Sequence, residues 1–236
     1  IIEIHNRPNY IKHLFSLKTK LILYFHNDPL TMDGSRKIQE RILLIDECEK
    51  IVFNSEWSKK QFLKKLPKFY HKSKKLIVIH QSVNQKKIDF KKKKKIITFV
   101  GKLNAAKGFD LFSKAIIRIL NEHQDWKCFV AGDEPREKII VKHKNLVNLG
   151  FQDHSKILNL FEKSSIAVTC SRWQEPFGRT SLEASSRGCA VIISNKGGLP
   201  ETITDGVILR KLDVDNLYKS IKRLILNTKE LKDLQF

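Results

Sequence analysis

Nine short runs rich in Ile, Val, Leu and Phe punctuate the chain, at 1–4, 21–25, 50–54, 76–80, 96–100, 126–131, 147–149, 166–170 and 191–194. Most residues in each run are apolar, which suits strands covered on both faces, the condition of a parallel sheet. Between and after these runs lie helix-like stretches at 34–49, 58–66, 109–122, 134–144, 156–163, 179–187 and 214–227. Strand alternating with helix predicts an α/β fold built from parallel βαβ units. In 109–122, Leu111, Phe112, Ala115, Ile116 and Ile119 recur at helical spacing, so that helix should lay one apolar face on a sheet.

A length of 236 residues accommodates one large domain or two of ordinary size. The stretch 84–95, NQKKIDFKKKKK, holds seven lysines and one acid. It offers no apolar face for a core and reads as a solvated linker. The expected division is therefore 1–90 and 91–236.

The chain carries 45 Lys+Arg against 25 Asp+Glu, a net charge of +20. Biased residue usage alone could produce this excess. The readings with a partner are an anionic membrane surface or a phosphate-bearing substrate. Nucleic acid ranks last, because no nucleic-acid-binding motif occurs. Residues 59–75 contain eight lysines and no acid, with Phe62, Phe69 and Tyr70 interleaved. This is either an ordinary solvated face or a surface for anionic lipid, where each lysine gains about 1 kcal/mol.

Cys48, Cys128, Cys170 and Cys189 are too widely spaced for a zinc site or a disulfide framework, so reduced, buried thiols in the cytoplasm are expected. No apolar run reaches the length of a membrane span and no signal peptide opens the sequence. The chain starts without Met inside an alternating segment, IIEIH. A missing amino-terminal part of the first domain is therefore expected.

Two segments carry candidate chemistry. Strand 96–100 runs into GKLNAAKGFD, which places Gly101, Lys102, Lys107 and Gly108 at a strand's carboxyl end, where ligands bind in open α/β sheets. Gly101 lets backbone approach a ligand, and Lys102 and Lys107 could clamp a diphosphate from two sides. Strand 166–170 is followed by SRWQEPFGRTSLEASSRG, where Pro176 and Gly178 shape a turn and a helix begins near Arg179. The free N–H groups of that helix end can receive a phosphate. Glu175 before the turn and Glu183 one turn into the helix would border the same crevice. Each carboxylate accepts hydroxyl hydrogens, as a sugar or ribose diol requires.

EPFGRTSLE resembles the E-x7-E segment of retaining glycosyltransferases of the GT-B fold, family 4 (glycosyl transferases group 1). FVGKLNAAKG, AGDEP, LGF at 149–151 and GGLPE at 197–201 are similar to further segments of that family, in its order. The resemblance implies two Rossmann-like domains with parallel sheets facing a cleft, the first one partial here. It implies transfer of a sugar from a nucleotide-diphosphate donor to a hydroxyl of a saccharide or lipid-linked acceptor, with no obligatory metal and no other cofactor. Surface polysaccharide or lipopolysaccharide synthesis would be the setting, in the cytoplasm or at the inner face of the plasma membrane.

Carried over by motif, Lys102 and Lys107 would hold the diphosphate, Glu175 the sugar and Glu183 the ribose. Phe177 and Gly178 would offer N–H groups beside Arg179, and Phe151 lies in the base-binding loop. IHNRPNYI and YFHNDP resemble acceptor-side loops, which makes His5 and His26 candidates near the transferred sugar. Two departures stand out: Lys102 replaces a frequent Arg, which has a bidentate fork that Lys lacks, and QSVN at 81–84 replaces N-G-V-D.

Asp213 and Asp215 mimic a D-x-D metal motif, but immediately precede NLYKSIKRLIL and read as a helix cap with an acidic first turn. The rival readings are a nucleotide-sugar epimerase or phosphorylase-like enzyme of the same fold, and a catalytically silent, basic membrane-associated protein.

Overall fold

A computed structural model describes residues 1–84, 87–137 and 139–235. It divides into two compact units, Ile1–Gln81 and Ser82–Phe236. The first holds β1 (Ile2–His5), β2 (Leu21–Phe25), α1 (Ile38–Glu47), β3 (Lys50–Phe53), α2 (Glu56–Leu63) and β4 (Leu76–Val78). Its four strands form one parallel sheet in the order β1-β2-β3-β4. Phe25, Phe53 and Phe62 meet in its core with ring centroids 5.2–5.6 Å apart. Buried Arg41 ties α1 to the end of α2 by donating to the Phe62 carbonyl at 2.6 Å.

The second unit holds β5 (Lys94–Val100), α3 (Phe109–Glu122), β6 (Lys127–Ala131), β7 (Leu146–Asn148), α4 (His154–Lys163), β8 (Ser164–Thr169), α5 (Arg179–Ser186), β9 (Ala190–Ser194), β10 (Val207–Leu209), α6 (Val214–Leu226) and α7 (Thr228–Asp233). Six parallel strands lie in the order β10-β9-β8-β5-β6-β7. The chain builds outward from β5 through β6 and β7, then returns to place β8 on the other side of β5. Neighbouring β5 and β8 thus form the switch point where open sheets leave a crevice beyond their carboxyl ends.

Both faces of this sheet are covered. Phe109, Phe112, Ile116 and Leu120 of α3 join Leu217, Ile221 and Leu224 of α6 in one core, while Ile157 and Phe161 of α4 pack with Ala184 of α5 and Val191 in another. Each such buried side chain contributes about 1.5–3 kcal/mol relative to exposure. Among the described residues, no helix is long and apolar enough to cross a membrane. All four cysteines are buried and free.

Three sequence expectations need correction. Stretch 134–144 is not helical among its described residues; Lys138 lies outside them. Ile139 and Val141 pack on the core while Ile140 is exposed, an alternation that three successive β-branched residues favour over helix. Strand β10 and helix α7 were not anticipated, since each is very short.

The third correction concerns 84–95, of which Gln85 and Lys86 lie outside the described residues. Most of the rest is exposed, as a solvated segment should be, but it is grouped with the second unit, the division falling at 81/82, and one of its lysines is anchored. Lys93 Nζ donates to the carbonyls of Phe161, Ser164 and Arg187 at 2.9, 2.8 and 2.6 Å. These carbonyls sit at the ends of α4 and α5, where helices leave acceptors unsatisfied. Burial pushes the Lys93 amine below its ordinary value. Because Lys93→Met would leave buried acceptors short of a charged donor, it should cost about 2–4 kcal/mol, as charge-assisted bonds and orphaned acceptors imply. Urea denaturation followed by circular dichroism measures the change.

Candidate functional site

In the second unit the loops leaving β5, β6, β7, β8 and β9 all emerge at the carboxyl end of the sheet. Two glycines let three of them touch. Gly108, at φ +76°, packs against the Cys170 carbonyl, where an added Cβ would lie 2.0 Å from the oxygen. Gly197, at φ +60°, packs against Glu175, its hypothetical Cβ falling 2.1 Å from that carbonyl oxygen. No side chain fits either contact.

Hydrogen bonds lock what the glycines permit. The N–H groups of Arg172 and Trp173 both donate to the Ala106 carbonyl, at 2.9 and 3.1 Å. The Arg172 guanidinium forks onto Asp110 at 2.6 and 2.7 Å, holding that carboxyl below its usual range. Gly198 N–H donates to the Glu175 carbonyl at 2.7 Å and the Gln174 side chain accepts from Gly197 N–H at 2.7 Å.

On this scaffold Lys107 Nζ donates to Glu175 Oε1 at 2.5 Å, and only 12% of the Glu175 side chain is exposed. Glu175 Oε2 has no hydrogen-bond partner among the described residues. Gly178 caps α5, where the N–H groups of Arg179 and Thr180 have no intrahelical partner. Phe177 is buried beside them.

Glu183, with 8% of its side chain exposed, repeats the pattern. Its Oε1 accepts from Arg179 Nε at 2.8 Å and meets His154 Nε2 at 3.0 Å, while Oε2 is without a partner among the described residues. These three residues line a cavity of about 160 Å³ together with Ser82, Asn84, Leu158 and Arg187. Glu175 and Glu183 therefore do not share one partner set: each has its own cation. Arg179, expected to add charge at the helix end, spends its Nε on Glu183 and keeps its terminal nitrogens.

Lys102 is exposed and makes no hydrogen bond among the described residues; Gly101 has open space where a Cβ would project. Nearby, Arg136 bonding lowers Glu134 to about 2, with Lys102 a lesser influence. Phe151 is 75% exposed on a loop tied by Gln152 Nε2 to the Leu149 carbonyl at 2.6 Å.

In the first unit His5 and His26 lie at the carboxyl ends of adjacent β1 and β2, and they are in direct contact. His5 Nδ1 and His26 Nε2 are 2.9 Å apart, and the rings stack at 6°. The Gln81 amide nitrogen approaches His26 Nδ1 at 3.4 Å. Asn6, at φ 55°, accepts from the His26 and Asn27 N–H groups and joins the two loops. Burial first, and His5 second, lower His26 below its ordinary value of 6.5.

Asp213 caps α6 by accepting from Asn216 N–H at 2.8 Å, and Asp215 pairs with Arg118. Among the described residues no group of three or more His, Cys, Asp or Glu could hold a metal ion. Sequence reasoning missed His154, Arg172, Asp110 and Gln81. For His154 a signal existed: it opens the helix after β7 and so belongs to the strand-end loops.

Comparison with known proteins places this arrangement. The profile of the family described as Glycosyl transferases group 1 matches residues 80–235. The chain belongs to that family. Similar proteins include spore coat protein SA of Bacillus subtilis (strain 168), 26% identical over 87% of this chain and 62% of its own length. Putative glycosyltransferase YtcC from the same organism is 26% identical over 95% of this chain and 62% of its own. The chain thus spans about three fifths of these relatives.

Anabaena Alr3699/HepE in complex with UDP superposes with a TM-score of 0.78 at 18% identity, over 99% of this chain and 72% of that one. A glycosyltransferase from Rickettsia africae ESF-5 gives 0.74 at 21% identity, over 100% and 70%. The fold of this group 1 chain is GT-B.

The histidine pair yields a titration prediction. Unfolded His26 binds a proton more readily than folded His26, so stability falls as pH drops below 6.5. His5→Ala removes a neighbouring charge and opens the ring to water, so His26 should titrate at higher pH. NMR titration of the imidazole resonances measures the shift.

Proposed function

We propose that the chain is part of a retaining glycosyltransferase whose second unit binds a nucleotide-diphosphate sugar. The observation that carries this reading is the matched state of Glu175 and Glu183. Each is nearly buried, has one oxygen held by a cation, and leaves the other oxygen without a hydrogen-bond partner among the described residues. An acceptor-only oxygen fixed by its neighbour suits a hydroxyl donor. Glu175 is assigned to hydroxyls of the transferred sugar and Glu183 to the ribose.

The diphosphate falls to Lys102, Lys107 and the first turn of α5. An ammonium has three donors; Lys107 uses one on Glu175 and retains two for phosphate oxygens. Arg179 keeps its terminal N–H groups, and Gly178 and the helix N–H groups add a fixed positive end. Phe151 offers a ring face to the base. His5 and His26 are assigned to the acceptor.

The chemistry then breaks the bond between the anomeric carbon and the departing phosphate oxygen and forms one to the acceptor oxygen on the same face. The acceptor proton passes to that phosphate oxygen. Charge growing on the diphosphate meets preorganised cations, a contribution that enzymes use heavily. No step calls on a metal ion, and Glu175 acts by orienting the sugar. The acceptor is a hydroxyl of a saccharide or a lipid-linked saccharide.

Glu175→Gln keeps the shape but weakens both the Lys107 pair and the sugar contact. Turnover should fall by about 100- to 1,000-fold, the usual cost of losing one transition-state contact, with nucleotide affinity nearly unchanged. Transfer assays on the full-length protein check this, and unaltered turnover would exclude the role. For Glu183→Ala the defect should be in binding: calorimetry with UDP and the other nucleoside diphosphates should show about 10- to 100-fold weaker affinity, matching the loss of a charge-assisted hydrogen bond. Equal affinity would refute the ribose assignment.

A further inference from the structure

The lysine-rich segment after β3 is a built surface, and no part of the proposed sugar transfer uses it. Phe62 and Leu66 anchor it in the core of the first unit, and Tyr70 packs against that core. Its neighbour Phe69 turns outward and is 67% exposed on a short 3-10 helix, Lys68–Lys72. Lys60, Lys64, Lys65, Lys68, Lys72 and Lys74 are all exposed, and none forms an ion pair among the described residues. The turn into this helix takes a left-handed lysine, Lys65 at φ 62°.

The segment is tied to the rest of the first unit by hydrogen bonds. Lys75 Nζ donates to the carbonyls of Ile45 and Asp46 at 2.8 and 2.9 Å, and Lys50 Nζ donates to the Lys74 carbonyl at 3.0 Å. Between Glu56 and Asp89 the sequence has no acid. Asp46, Glu47 and Glu49 lie at the same end of the sheet, but Glu49 is paired with Lys20. All strands being parallel, the segment leading into β4 lies at the amino end of the sheet, opposite the carboxyl end that carries His5 and His26.

We infer that this face docks the protein on an anionic lipid surface, with Phe69 entering the headgroup region and the surrounding lysines facing lipid phosphates. Charge complementarity selects the partner: each lysine near an anionic leaflet raises partition by roughly fivefold. A single projecting aromatic amid cations suits an interface that is apolar below and anionic above. Phe69 contacts the Tyr70 ring at a centroid distance of 4.0 Å. Nucleic acid would use the same charge and ring through phosphate contacts and base stacking, but no nucleic-acid-binding motif accompanies them, and it is an outcome of the test. The inference is independent of the donor site.

The test is co-sedimentation of the whole chain with phosphatidylcholine vesicles, with and without phosphatidylglycerol, at low and high salt. Binding should require phosphatidylglycerol and weaken at high salt, as screening demands. The combined Lys65→Glu, Lys68→Glu, Lys72→Glu variant should lose more than tenfold in partition. Phe69→Ser should lose severalfold with its salt dependence intact. Thermal melts establish that both variants fold, and if the triple variant does not, Phe69→Ser alone decides.

Inorganic phosphate at matched ionic strength should not displace the protein; displacement would mean a free-phosphate site and overturn the inference. Equal sedimentation with pure phosphatidylcholine, wild-type partition of the folded Phe69→Ser variant, or capture by a single-stranded oligonucleotide without vesicle binding would also overturn it.

Discussion

Everything at the candidate site depends on how closely backbone can pass backbone at the carboxyl end of the second sheet. Gly108 rests on the Cys170 carbonyl and Gly197 on the Glu175 carbonyl, at separations that no Cβ survives. These contacts bring loops from β5, β8 and β9 together. Helix α5 adds little apolar surface: its buried residues are Ser181, Glu183 and Ala184, and Ser181 bonds Thr202 at 2.7 Å. Its position is set by small residues and hydrogen bonds, leaving its amino end at the crevice.

The same economy governs the two acids. A carboxylate buried alone would be costly, yet one fully enclosed by cations could accept nothing more. Glu175 and Glu183 avoid both extremes by giving one oxygen to a neighbouring cation. Lys107 and Arg179 therefore act twice, holding an acid in place and keeping donors in reserve. The first unit pairs its groups differently: His5 and His26 stack and share a hydrogen-bonded contact, with Tyr24 stacked on His5 at 4.4 Å.

What could be read in advance divides along physical lines. Nine of the ten strands, and α3, were legible because burial on both faces or on one helical stripe leaves a mark in the sequence. Glu175 and Glu183 were legible because both lie on one βα unit with a fixed spacing. His154 and Arg172 were less so, since each meets its partner across separate βα units, where spacing along the chain carries no information. Lys93 was misread for a related reason. In a run of five lysines, only the carbonyls of Phe161, Ser164 and Arg187 distinguish the buried one from its solvated neighbours.

Phe151 stands apart from this network. Its loop is already tied, with Gly132 N–H on the Gly150 carbonyl at 2.8 Å and Gly150 N–H on Asn148 Oδ1 at 2.9 Å, while the ring itself stays in water. A ring face reads planarity and polarisability, which every nucleobase shares. If a nucleobase stacks there as proposed, discrimination between uracil and guanine falls to groups at the edge of the loop, which can change without disturbing the platform beneath it.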